Sequence, residues 1–148
     1  MARQAVWDLR HTELDGDLAS SLRDFAGRFS SESSVPIALK VSGESPRLDG
    51  RAERNLLLVA REAIRNALTH GSPGRIDLNL RFEPAEVRLE ISDDGIGFDP
   101  TPQHHEGHYG IVGMRERVEQ LGGSLEIQSA PGRGTSLRAR MPVQVAAK

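Results

Sequence analysis

Apolar positions recur along this chain in two rhythms, and the alternation between them lays out its elements. Between residues 17 and 30, Leu18, Leu22, Phe25 and Phe29 fall three or four apart, predicting a helix with one apolar face and Asp15 or Asp17 placed to cap its first turn. The period drops to two in Pro36-Ile37-Ala38-Leu39-Lys40-Val41, a strand followed at Gly43 by a loop through Pro46. Helical spacing returns after Asp49 or Gly50 in Leu56, Val59, Ala60, Ala63, Ile64, Ala67 and Leu68. This second helix is expected to reach His70, with Gly71 in the left-handed position that ends it.

Strict alternation in Ile76, Leu78, Leu80 and Phe82 resumes after Glu83-Pro84-Ala85-Glu86 in Val87, Leu89 and Ile91, which predicts an antiparallel hairpin. A third helix is expected over about 110–121, stopping at Gly122-Gly123. Leu125 and Ile127 are then expected to pair, through the turn Pro131-Gly132-Arg133-Gly134, with Leu137, Ala139 and Met141. Strands that are apolar on one side need cover on that side and tolerate water on the other. The fold class is therefore α+β: a two-layer α/β sandwich whose mixed, mostly antiparallel sheet is covered on one face by three helices.

Size and charge narrow the function. The chain has 148 residues, enough for one domain with a usable core. Nineteen Lys plus Arg against 21 Asp plus Glu give a formal charge of -2, so no overall basic field draws in nucleic acid, and an anionic ligand has to be met by local groups. The absence of cysteine excludes a disulfide scaffold, thiol catalysis and Cys-type zinc sites. No apolar run approaches the roughly 20 residues of a membrane span, and the first ten residues lack the layout of a secretion signal. A soluble, cytoplasmic domain is expected, a reading that also fits one piece of a larger, membrane-anchored protein.

Four stretches carry candidate chemistry. Glu62, Asn66 and His70 sit four apart on the second helix beside its apolar stripe, either as an ordinary solvated face or as polar ends stacked toward one ligand. Asn66 offers a neutral oxygen suited to Mg²⁺, which binds largely through phosphate oxygens and water. In Ile91-Ser92-Asp93-Asp94-Gly95-Ile96-Gly97 a strand runs into a carboxylate and two glycines. A plain strand-end turn reads these residues as well as a loop in which Asp93 accepts from the amine of a flat ring such as adenine, with Gly95 and Gly97 allowing close approach. Asp94 and Asp99 read as solvated.

Gly107, Gly110 and Gly113 lead into the third helix, where free backbone N–H groups and the positive helix end favour phosphate oxygens. Arg115 and Arg117 there fit surface charge and phosphate or partner contact equally. Between Phe98 and Tyr109 lies a polar segment without apolar period, so His104, His105 and His108 read as a histidine-containing mobile loop rather than a metal site. Gly132, Gly134 and Thr135 fit a bare hairpin turn.

Taken in order, Arg61–His70-Gly71, Asp93–Gly97, Gly107–Gly113 and Gly132–Thr135 resemble the N box and the three glycine boxes of the ATP-binding catalytic domain of sensor histidine kinases. That family lies within the wider ATPase group of DNA gyrase B and MutL, whose fold is of the Bergerat type. The resemblance implies ATP and Mg²⁺ as cofactors, with Asn66 as the magnesium ligand and His70 near the phosphates. It also implies Asp93 on adenine, with Gly95, Gly97, Gly107, His108, Gly110, Gly113, Gly134 and Thr135 around the nucleotide. The polar segment before Tyr109 corresponds to the lid. Glu62 matches the residue that activates water in the gyrase-like ATPases, while in histidine kinases the acid beside the acceptor histidine can serve as base.

Trp7-Asp8-Leu9-Arg10, followed by Leu14-Asp15, resembles the junction after the dimerisation helices of NarL- and DesK-type kinases, with His11 where that subfamily usually carries proline. This implies that residues 1–14 end the dimerisation region and that 15–148 form the catalytic domain. The partners implied are the phosphoacceptor dimerisation domain of the same kinase, in a homodimeric whole, and a response regulator, with the isolated domain a monomer. Two alternatives remain open at this point: a nucleotide-binding regulatory module, and a serine kinase of the anti-sigma type.

Overall fold

A computed structural model of the chain describes residues 17–43, 50–97 and 111–143. The junction around Trp7, the loop at Pro46, Asp99, the expected lid, Gly107, His108 and Gly110 lie outside the described residues. Helix α1, Leu18–Ser33, starts where its cap predicts: the Asp17 carboxylate accepts the Ser20 N–H at 2.8 Å. It runs almost a turn past the expected end because Ser33 supplies its own stop. The Ser33 hydroxyl donates to the Phe29 carbonyl at 2.7 Å and accepts the Val35 N–H at 3.1 Å, and Ser34 turns left-handed at φ 65°.

Strand β1, Ile37–Ser42, is followed by helix α2, Gly50–Asn66, and then by a single π turn, Ala67–Gly71. Strands β2, Ile76–Phe82, and β3, Glu86–Asp93, form the expected hairpin with Phe82 opposite Val87. Helix α3, Ile111–Gln120, precedes β4, Ser124–Ser129, and β5, Thr135–Pro142, whose register sets Leu125 opposite Ala139 and Ile127 opposite Leu137. Among the described residues the sheet has five strands in the order β1-β2-β3-β5-β4. Only β1 and β2 are parallel, because α2 carries the chain back between them; the other neighbours are antiparallel.

The expected α+β sandwich is the observed one. Leu56, Val59, Ala60 and Ile64 of α2 are buried against inward residues of the strands, such as Ile76, Leu78, Leu89 and Leu137, with Leu22 and Phe25 of α1 and Met114 and Val118 of α3 completing the core. The opposite face of the sheet is a cross-strand lattice of charge: Arg138 reaches Glu90 at 2.9 Å and Glu126 at 3.6 Å, and Glu86 is shared by Arg88 at 2.7 Å and Arg140 at 3.5 Å. Such exposed pairs contribute little stability each, so their effect is to keep that face wet.

Candidate functional site

The end of α2 is the first wall of the site. The helix was expected to stay regular to His70 and to reverse at Gly71; instead it widens into the π turn, and Ser72 takes the left-handed conformation at φ 48°. The wider turn holds one more residue before the chain reverses, which moves the reversal past the glycine. Asn66 and His70 both line an open cleft between α2 and the ends of the strands, whereas Glu62, one regular helical turn before Asn66, does not line it.

The second wall is the end of β3 and the loop after it. Asp93 lines the cleft, and its Oδ1 accepts the N–H of Gly95 at 2.8 Å. Burial is the largest influence on this carboxyl and pushes its pKa above the usual carboxylate range; the Gly95 N–H pulls it back, the neighbouring Asp94 raises it and a Thr135 backbone contact lowers it. An amine donor arriving at Asp93 therefore meets a half-buried acceptor with little competing water.

The glycines of this loop are required by the chain's own packing. A Cβ at Gly95 would stand 2.2 Å from the Gly71 carbonyl oxygen, and one at Gly97, where φ is +69°, would stand 2.1 Å from that of Ala130. Gly134, at φ +72°, meets the Asp93 carbonyl in the same way at 2.2 Å. The loop is thus wedged between the π turn and the β4–β5 turn, and hydrogen bonds run through it: Ile96 N–H donates to Gly71 at 2.8 Å, and Gly132 N–H donates to Ile96 at 2.5 Å. Thr135 faces the cleft while its hydroxyl and that of Ser129 share a hydrogen bond at 2.9 Å. Gly113 lies in the first turn of α3 with open space around it, its nearest neighbour being an Arg117 nitrogen at 3.9 Å.

Asp94 is exposed, as its solvated reading expects, and it has partners as well: Oδ1 accepts two backbone N–H groups, from Gly74 at 2.7 Å and Arg75 at 3.0 Å. These donors, Arg75 first, hold its pKa below the usual range. Sequence spacing gave no sign of a partner 20 residues upstream. Sequence reasoning also missed the apolar floor of the cleft: Ala63, Ala67, Ile91, Met114, Ile127 and Leu137. The signal was present in the inward phase of the strands, which places Ile91, Ile127 and Leu137 on the helix side. An apolar floor with a few convergent polar groups at its edge suits a flat ring carrying a polar tail.

Residues 51–145 match the family model described as histidine kinase-, DNA gyrase B- and HSP90-like ATPase. The chain is similar to the signal transduction histidine-protein kinase/phosphatase DegS of Brevibacillus brevis, 30% identical over 95% of this chain and 36% of that protein. It is also similar to the nitrate/nitrite sensor protein NarQ of Escherichia coli K12, at 34% over 90% of this chain and 24% of that protein. It therefore spans about a third of the length of these relatives or less. The histidine kinase domain of a blue-light activated histidine kinase from Erythrobacter litoralis EL346 shares the fold, with a TM-score of 0.67 at 20% identity over 85% of this chain and 61% of that one.

Proposed function

The chain belongs to the family of histidine kinase-, DNA gyrase B- and HSP90-like ATPases, and on that premise we propose that it is the ATP-binding catalytic domain of a sensor histidine kinase. The observation that carries this reading is the convergence of Asn66, His70, Asp93 and Thr135 on one cleft with an apolar floor. Asp93 accepts from the exocyclic amine of adenine, and the ring lies over Met114, Ile127 and Leu137. The phosphates then extend toward the end of α2, where His70 stands, and toward the start of α3, whose positive end favours anions.

Mg²⁺ fits the donors present. Among the described residues no group of three or more His, Cys, Asp or Glu gathers to hold a cation by itself. One neutral oxygen from Asn66, combined with phosphate oxygens and water, is the kind of shell this ion accepts. When bound, it neutralises charge developing on the transferred phosphoryl group. The chain's own residues position the nucleotide, and the γ-phosphate passes to a histidine on a dimerisation domain outside this chain, within a homodimeric kinase that signals to a response regulator. Glu62, which does not line the cleft, is not needed as base when the acid beside the acceptor histidine serves. Among the described residues no helix is long and apolar enough to cross a membrane; the domain works on the cytoplasmic side, where ATP is.

The test is transfer in trans. With radiolabelled ATP and the dimerisation helices of the parent kinase supplied separately, acid-labile phosphate is expected on those helices and not on this chain. Transfer is expected to be slow, because the tether that raises the local concentration of the acceptor is missing. Robust labelling of one of the chain's own histidines would overturn the reading, and labelling of a serine on an anti-sigma partner would replace it.

A further inference from the structure

The carboxylate beside Asp93 is committed to a different part of the chain. Asp94 Oδ1 accepts the N–H groups of Gly74 and Arg75 at 2.7 and 3.0 Å, and neither Asp94 nor these two residues line the cleft. Gly74 and Arg75 belong to the short connection from the π turn, which ends at Gly71, to β2, which starts at Ile76. We propose that Asp94 is a positioning residue that, by clamping this connection, holds the Asn66 and His70 end of α2 at the separation from Asp93 that a magnesium nucleotide spans. The proposal rests on the nucleotide reading of the cleft.

Three features support it. The π turn at Ala67–Gly71 breaks the regular ladder of α2 just where the chain reverses, so the position of this end depends on what grips the chain around it. Among the described residues, two hydrogen-bonded grips join this end to the loop after β3: the Ile96 N–H on the Gly71 carbonyl at 2.8 Å, and the Asp94 clamp. The first is backbone on backbone and independent of sequence; the second depends on one side chain. Finally, the clamp contributes nothing to the core, since Asp94, Gly74 and Arg75 are all exposed. An exposed carboxylate with two backbone donors from a distant loop sets geometry more than stability. Its low pKa keeps it an acceptor throughout the neutral range.

The clamp needs one oxygen in place, not a charge. Asp94→Asn keeps an Oδ1 able to accept both N–H groups, and Asp94→Ala removes it. ADP is titrated by calorimetry into wild type and both variants, once with magnesium and once with EDTA. Asp94→Asn should match wild type within about twofold in both conditions. Asp94→Ala should lose about tenfold in magnesium, within the range of coupling between two sites, and clearly less in EDTA, where the contact through Asn66 and the metal no longer reports. If the alanine variant does not fold by circular dichroism, Asp94→Glu, which keeps the charge but moves the oxygen outward, carries the same expectation. Equal losses with and without magnesium, no loss at all, or failure of asparagine to replace aspartate would each overturn the proposal. Wild type that binds no ADP would instead overturn the nucleotide reading itself.

Discussion

Gly95 packs directly on Gly71: a Cβ on the former would stand 2.2 Å from the carbonyl oxygen of the latter. Gly95 has no positive φ, so room rather than backbone freedom demands glycine there. The loop that presents Asp93 and the helix end that presents Asn66 and His70 can be this close only while residue 95 lacks a side chain.

Gly95→Ala should therefore push backbone against backbone and cost about 1–3 kcal/mol, the usual penalty of overpacking. Gly113→Ala makes the opposite case, since it sits in a helix with open space and should stabilise by up to about 1 kcal/mol. Urea midpoints of the two variants should move in opposite directions. A Gly95→Ala midpoint equal to that of wild type would show that the loop does not need this contact.

Asp93→Ala should remove the acceptor for the adenine amine and cost about 1–3 kcal/mol in ADP affinity, the penalty of leaving a buried polar group unmet. Calorimetry measures it, and wild-type affinity in the variant would dismiss the adenine assignment.

The pH dependence of the same carboxyl has a definite sign. Its folded pKa is raised by burial, so between the usual carboxylate range and the raised value the folded state holds more protons than the unfolded one. Stability from this group is thus lost as pH rises through that window, and Asp93→Asn should gain slightly on wild type at neutral pH and lose the advantage in acid. ADP affinity should run the other way, weakening as pH falls and the carboxyl takes up its proton. Melting temperatures and titrations from pH 4 to 8 check both slopes, about the span in which shifted carboxylates titrate.

Asn66→Ala should leave the fold intact, because Asn66 lies beside the buried stripe of Ala63, Ile64 and Ala67 rather than in it. Its effect should fall on magnesium-dependent ATP binding and transfer. Transfer to added dimerisation helices at the wild-type rate would remove Asn66 from the metal.

What the sequence determined by itself was whatever a short window contains. A cap at Asp15 or Asp17, the inward phase of Leu78, Leu89 and Leu137, the existence of both hairpins and the order of the four motifs all follow from periods of two and 3.6 and from local turn residues. The tertiary structure alone decided how those windows meet. It set β1 parallel to β2 and put β5 between β3 and β4, widened the end of α2 after Asn66 and brought Asn66 and His70, but not Glu62, to the cleft, and made glycines 95, 97 and 134 places where one backbone presses on another. It gave the exposed Asp94 side chain two backbone partners, at residues 74 and 75. The physical reason is common to all of these: a periodic pattern records which side of an element is dry, but a carbonyl 2 Å from a missing Cβ or an N–H 20 residues upstream leaves no local period to read.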